Sequence, residues 1–172
     1  MARSIAARGK LYLTEQNLFV NAAEELTQGF LEIKSDGVRL AGSVVFGDQG
    51  RVSFSSALPL ESSLKKSVVF SQLASNDTYF TGLALLNPGS ETAHATIEVF
   101  DQTGGLIVSA TEEIPPLSRK SKLLTQYFPS LVGQNQSAGY VRVKSDLGMA
   151  GFALFGTHRL SALSAVPAQA VP

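Results

Sequence analysis

The 172-residue chain carries 14 basic and 14 acidic side chains, so its formal net charge is zero, and 44% of its residues are hydrophobic. A neutral surface lacks the long-range attraction that nucleic acid or an anionic membrane rewards, and the absence of cysteine excludes disulfides and thiolate metal sites. A core can nevertheless form unaided at this length, as one long domain or two small ones.

The N-terminus, Met1 to Arg8, is basic but lacks the apolar run of a signal peptide, and no stretch approaches the ~20 apolar residues of a membrane-spanning helix. The chain as written therefore reads as soluble, without membrane insertion and without an export signal. Gly29 to Asp36 reads as a strand, Leu40 to Phe46 as its partner, and Leu60 to Lys66 as a short linker. Phe80 to Leu86 reads as a strand stopped by Asn87-Pro88-Gly89, a turn sequence. From Ala93 to Phe100 the chain alternates Ala, Ala, Ile, Val against His, Thr, Glu, Phe, the period of a strand with one buried face. Asp101 to Gly105 turns it into a returning strand, Leu106 to Ile114, which Pro115-Pro116 ends. Ser118 can cap one or two helical turns carrying Leu123, Leu124, Tyr127 and Phe128. Tyr140 to Lys144 reads as a strand, Ser145-Asp146 with Gly148 as a turn, and Met149 to Phe155 as a second strand. The sum predicts an all-β fold, an antiparallel β-sandwich with one short helix, whose core includes Leu83, Leu85, Ile97, Val99, Val141, Val143, Phe152 and Leu154.

The chain also matches itself. Gly29-Phe30-Leu31-Glu32-Ile33-Lys34-Ser35-Asp36 answers Gly139-Tyr140-Val141-Arg142-Val143-Lys144-Ser145-Asp146, an offset of 110. Leu40-Ala41-Gly42 and Val45-Phe46-Gly47 answer Met149-Ala150-Gly151 and Leu154-Phe155-Gly156 at 109, and Ser56-Ala57-Leu58-Pro59 answers Ser164-Ala165-Val166-Pro167 at 108. Lys10 to Thr14 answers Lys122 to Thr125 more loosely. Order, spacing and residue class persist together, the signature of a duplication. Residues 1–60 read as a partial copy and residues 64–172 as a complete one. An isolated strand pair is marginal in water. The partial copy must therefore pack on the complete copy, the favoured arrangement, or on a partner chain as a homodimer.

Thr81 to Gly89, Ala95 to Asp101, Ile114-Pro115-Pro116, Tyr127-Phe128-Pro129, Gly139 to Asp146 and Gly151 to Gly156 together resemble a β-sandwich repeat of large secreted bacterial proteins of unknown function. The resemblance covers roughly residues 64–172, about half of it recurs in residues 8–60, and it implies an extracytoplasmic setting. The Asn87 turn, the strand after it and the Ala150-Gly151 strand are distantly similar to the sensory rhodopsin transducer family. That likeness implies a compact β-sandwich able to oligomerise, and no binding residue is carried across on it.

Reactive side chains are scarce. His94 lies on the polar face of its strand and His158 in a turn, and neither belongs to a zinc or nucleophile motif. Glu112-Glu113 points to opposite faces, which works against shared acid–base use. No catalytic residue, cofactor or metal site is expected. Asp36 and Asp146 recur in both copies and read first as turn aspartates bonding their own backbone, with a shared ligand or calcium contact as the alternative. Lys34 and Lys144 read as strand-end residues. Arg119, Lys120, Lys122, Lys65 and Lys66 read as solvated rather than as a nucleic-acid surface. Tyr79, Tyr127 and Tyr140 are candidates to stack on a sugar, although Tyr127 and Tyr140 fall at apolar positions that suit a core. The chain thus reads as a non-catalytic structural or interaction module for spacing, assembly or adhesion, with a protein or cell-surface partner. The alternative is a module that binds carbohydrate or another small ligand, with Tyr79, Tyr127, Asp36 and Asp146 as candidate contacts.

Overall fold

From residue 65 onward the period-two alternation dominates, and in the computed structural model it forms strands. The structure describes residues 2–18, 29–48 and 54–171. In chain order the elements are α1 (Glu15–Leu18), β1 (Ser43–Gly47), β2 (Ser55–Pro59), β3 (Lys65–Phe70), β4 (Tyr79–Asn87), β5 (Ala93–Phe100), β6 (Leu106–Ile114), β7 (Ser118–Leu123), α2 (Leu124–Tyr127), a 3-10 turn (Pro129–Leu131), β8 (Tyr140–Thr157), β9 (Leu163–Pro167) and β10 (Gln169–Ala170). Every strand pairing is antiparallel. The fold is all-β, as the alternation predicts.

Met1–Ile33 and Lys34–Pro172 form separate compact units. In the first, the Thr14 backbone N–H and hydroxyl donate to Asn17 Oδ1 at 3.0 and 2.9 Å and close the single turn of α1. All ten strands belong to the second.

The 18-residue β8 organises the sandwich. Its first part, Tyr140 to Ser145, lies between β3 and β5, giving the order β10-β3-β8-β5-β6. Its second part, Ala150 to Thr157, lies between β4 and β9, giving β7-β4-β8-β9. The expected turn at Ser145-Asp146 does not occur. Ser67 pairs with Lys144 and Lys65 with Met149, so β8 carries the excess residues of a bulge there. A bulge re-aims a strand without reversing it, and this one passes β8 from one set of partners to the other.

The core lies between the two layers. Ala93, Ala95, Ile97 and Val99 of β5 are fully buried, as are Phe70, Ile114 and Val141, with Leu83, Leu85 and Val143 at 1% exposure. Each of the larger of these side chains, the Val, Leu, Ile and Phe, contributes about 1.5–3 kcal/mol relative to exposure. Phe152 and Leu154, expected in the core, are half-buried, because the small Ala153 takes the inward position at this point of β8. The predicted helix from Ser118 also shortens. Ser118 to Leu123 pairs with β4 as β7, leaving one helical turn that buries Leu124 and Tyr127. Asn87 is completely buried at the end of β4, where its amide donates to the carbonyls of Glu91 and Ile114 at 2.7 and 2.9 Å and its Oδ1 accepts from Gly89 at 3.0 Å.

The two segments related by internal similarity behave differently over their first part and alike over their second. Gly29 to Asp36 forms no strand, whereas its counterpart opens β8. Tyr140 to Ser145 is held on both sides by β3 and β5, and no described strand pairs with residues 29–36. Beyond that point β1 and β2 pair Gly47 with Ser55, Phe46 with Ser56, Val45 with Ala57, Val44 with Leu58 and Ser43 with Pro59. β8 and β9 pair Gly156 with Leu163, Phe155 with Ser164, Leu154 with Ala165, Ala153 with Val166 and Phe152 with Pro167. Shifted by 109 on the first strand and 108 on the second, the two registers coincide.

Candidate functional site

Once Ile97, Val99, Val141 and Val143 turn inward, strand alternation sends the residues between them to the outer face of β5 and β8. The register sets them opposite one another: Phe100 with Tyr140, Glu98 with Arg142, Thr96 with Lys144. Phe100 and Tyr140 stack with centroids 4.8 Å apart and planes 10° apart. The Arg142 guanidinium lies 4.7 Å from the Phe100 centroid and donates to Glu98 through Nε at 2.7 Å and Nη2 at 3.1 Å. Phe100 is thereby covered to 7% exposure although it points away from the core. Gly139 adopts φ +115°, and an added Cβ would collide with the Phe100 carbonyl oxygen, so glycine lets Tyr140 approach its partner.

Tyr140 and Arg142, with Val69, Ser71, Gln102 and Val171, line an open groove of about 560 Å³. The hydrogen bonds from Arg142 hold the Glu98 carboxyl below its usual range against the opposing effect of burial, with Arg142 and Lys144 charges adding to the shift. The guanidinium is thus fixed in place. An aromatic ring beside an oriented guanidinium is equipped to stack on and hydrogen-bond a polar ring. Tyr140 reads from sequence as a core residue, but it shares parity with Arg142 and Lys144 and not with Val141 and Val143. Glu98, Phe100 and Arg142 carry no motif, and only the pairing register brings them together.

The four residues singled out from sequence occupy separate settings, and among the described residues none bonds to another. Tyr79 is exposed at the start of β4 and lines a shallow cleft of about 250 Å³ with Asn76, Thr78 and Asn135. Tyr127 is buried at the end of α2, with the Lys122 ammonium 5.0 Å from its ring centroid. Burial, reinforced by the Glu112 charge, pushes the Tyr127 hydroxyl well above the usual phenol range, and that hydroxyl has no hydrogen-bond partner among the described residues. A sugar cannot stack on it there. Asp36 sits exposed in a bend completed by Gly37 at φ +74°, while the Ser35 hydroxyl donates to the Val38 carbonyl. Asp146 is a strand residue, not a turn residue. Its Oδ1 accepts from the His94 backbone N–H at 2.8 Å, and its Oδ2 lies 2.8 Å from His94 Nδ1. Asp36 and Asp146 thus share no environment.

Several other polar residues bond to near neighbours. Glu112 accepts from Lys120 at 2.6 Å and Lys122 at 2.8 Å. Burial opposes ionisation of Glu112, but the two lysines prevail and hold its carboxyl below the usual range. Lys65 pairs with Glu61 at 3.2 Å. His158 Nε2 lies 3.0 Å from the Asn76 carbonyl, and its ring is 5.8 Å from that of Phe80. Among the described residues no group of three or more His, Cys, Asp or Glu is placed to hold a metal ion, and no helix is long and apolar enough to cross a membrane.

No family model matches the chain, and no curated protein matches it in sequence. Its structure matches the crystal structure of Thermotoga maritima 1070 at 15% identity and a TM-score of 0.49, covering 62% of this chain and 95% of that one. That likeness carries no functional argument.

Proposed function

We propose that the chain is a non-catalytic structural module of a repeat-built protein, containing one complete and one partial copy of a β-sandwich unit and serving spacing, assembly or adhesion in an extracytoplasmic setting. The observation that carries this reading is the coincidence of the β1–β2 and β8–β9 registers. Their loops support it. An added Cβ on Gly47 would lie 2.5 Å from the Phe54 carbonyl oxygen, and one on Gly156 would lie 2.5 Å from that of Ala162. The Asp48 N–H donates to Phe54 O at 3.3 Å and the Thr157 N–H to Ala162 O at 3.0 Å. Phe54 and Ala162 stand 108 residues apart, the offset that relates β2 to β9. Unrelated hairpins have no reason to share register, loop bond and obligatory glycine. The resemblance to a repeat of secreted bacterial proteins supports the extracytoplasmic setting.

Exchanging the hairpins tests the repeat. A chain carrying residues 152–167 in place of residues 43–59 is expected to fold with a cooperative thermal transition, because surface substitutions at compatible backbone positions each stay within about 0.5 kcal/mol of neutral. Loss of the cooperative transition would show that the hairpins are not equivalent.

A second reading, binding of carbohydrate or another small polar ligand, is favoured by the Tyr140–Arg142 groove on the outer face of β5 and β8. Titration with neutral oligosaccharides separates it from the first: saturable binding lost in Tyr140→Ala supports it.

A further inference from the structure

In the complete unit the second part of β8 is a central strand, with β9 on one side and β4 on the other. β1 repeats that strand but, among the described residues, pairs with β2 alone. β2 in turn lies against β9, where the Ala165 N–H donates to Ser56 Oγ at 2.9 Å. The edge of β1 opposite β2 is the one that β4 occupies in the complete unit, and among the described residues no strand pairs with it.

The apolar residues along β1 correspond to covered ones. Val44 is 41% exposed where its counterpart Ala153 is 1% exposed, and Leu40 is 41% exposed where Met149 is 5% exposed. An added Cβ on Gly151 would meet the Ala84 carbonyl oxygen of β4 at 2.8 Å, whereas one on Gly42 would meet only the Leu60 side chain. Gly42 thus keeps the glycine that gives a β4 strand its close approach, with no strand there.

Backbone direction agrees. The Leu60 N–H donates to Gly42 O at 2.9 Å and the Asp48 N–H to Phe54 O. Antiparallel alternation then turns the backbone groups of Val44 and Phe46 toward β2 and those of Ser43, Val45 and Gly47 to the open edge. Leu154, the counterpart of Val45, faces Gly82 of β4 in the same way.

We propose that the open edge of β1 is an acceptor for a β4-type strand supplied by another copy of the repeat unit. In the register of the complete unit, Leu83, Gly82, Thr81 and Phe80 of the donor lie opposite Val44, Val45, Phe46 and Gly47. Units so joined share a sheet, a form of strand addition in which the ladder provides affinity and the alternate side chains provide specificity. The proposal rests on the repeat reading above and adds the identity of the missing partner.

The test uses the full chain and a fluorescent peptide copying residues 78–88, extended with lysines for solubility, read by anisotropy. Saturable binding is expected, weakened about tenfold or more by Val45→Pro, which removes an N–H from the open edge and none from the β1–β2 ladder. Val45→Lys, which leaves the backbone intact and charges the edge, is expected to act in the same direction. The proposal is overturned if the peptide does not bind, if a scrambled peptide binds equally, or if both variants bind it as the parent does. It is also overturned if the parent is a dimer that both variants dissociate while the peptide stays unbound, because β1 then pairs with itself. Failure of the peptide alongside a folded hairpin exchange removes the acceptor and leaves the repeat standing.

Discussion

His94 and Asp146 show at the residue scale how an exposed pair acquires a pH signature. The hydrogen bond that His94 donates to Asp146, aided by the Asp146 charge, raises the His94 pKa above 6.5, while the hydrogen bonds from the His94 backbone and ring lower that of Asp146 below 3.8. The His94 contribution to stability is complete below 6.5 and is lost as pH rises through the raised value. That of Asp146 is complete above 3.8 and is lost as pH falls through the lowered value. Both groups are exposed, so solvent screening keeps the effect small. Proton NMR of the His94 ring should give a midpoint above 6.5 that falls toward it in Asp146→Asn; an unchanged midpoint would place the proton-stabilising contact elsewhere. The pair was not legible in the sequence, because 52 residues separate its members and Asp146 looks like a turn residue beside Ser145 and Gly148. Tyr140 was misplaced for a related reason: its apolar ring suits a core, and only its parity with Arg142 sets it outside.

Strands were the most legible elements. β5 alternates without interruption, and its buried set, Ala93, Ala95, Ile97 and Val99, can be read directly from the pattern. In sequence β8 reads as two strands and a turn because Ser145, Asp146 and Gly148 are turn formers, and nothing local distinguishes a bulge from a reversal. Gly29 to Asp36 shows the converse: its pattern suits a strand, but strand formation needs neighbouring strands, and none of the described strands pairs with residues 29–36. The same dependence separates two prolines at equivalent positions. Leu154 faces β4 inside the sheet, so Leu154→Pro removes a ladder bond and leaves its acceptor unpaired, at a cost of about 1–3 kcal/mol that lowers the thermal midpoint by several degrees or more. Val45→Pro faces the open edge and should leave the midpoint within a few degrees of the parent. Equal losses in calorimetry would mean that the edge of β1 is already paired within the chain.

For the whole molecule, the internal similarity was visible in the sequence, but its structural meaning was not. Self-similarity announces that a unit recurs; it does not say which recurring residues regain their partners. Register supplies that: Ser43 to Pro59 form a hairpin in the register of β8–β9, whereas none of the described strands pairs with residues 29–36 as β3 and β5 pair with Tyr140 to Ser145. β1–β2 thus matches the register of the β8–β9 hairpin, with no described strand at the position that β4 takes beside β8. Amide hydrogen exchange of the full chain, followed by NMR at low concentration, tests this most directly. Val44 and Phe46 should be protected while Val45 and Gly47 exchange rapidly, and Ala153, Leu154 and Phe155 should all be protected, because a central strand is bonded on both sides. Protection of Val45 to the level of Leu154, or rapid exchange at Val44 and Phe46, would contradict it.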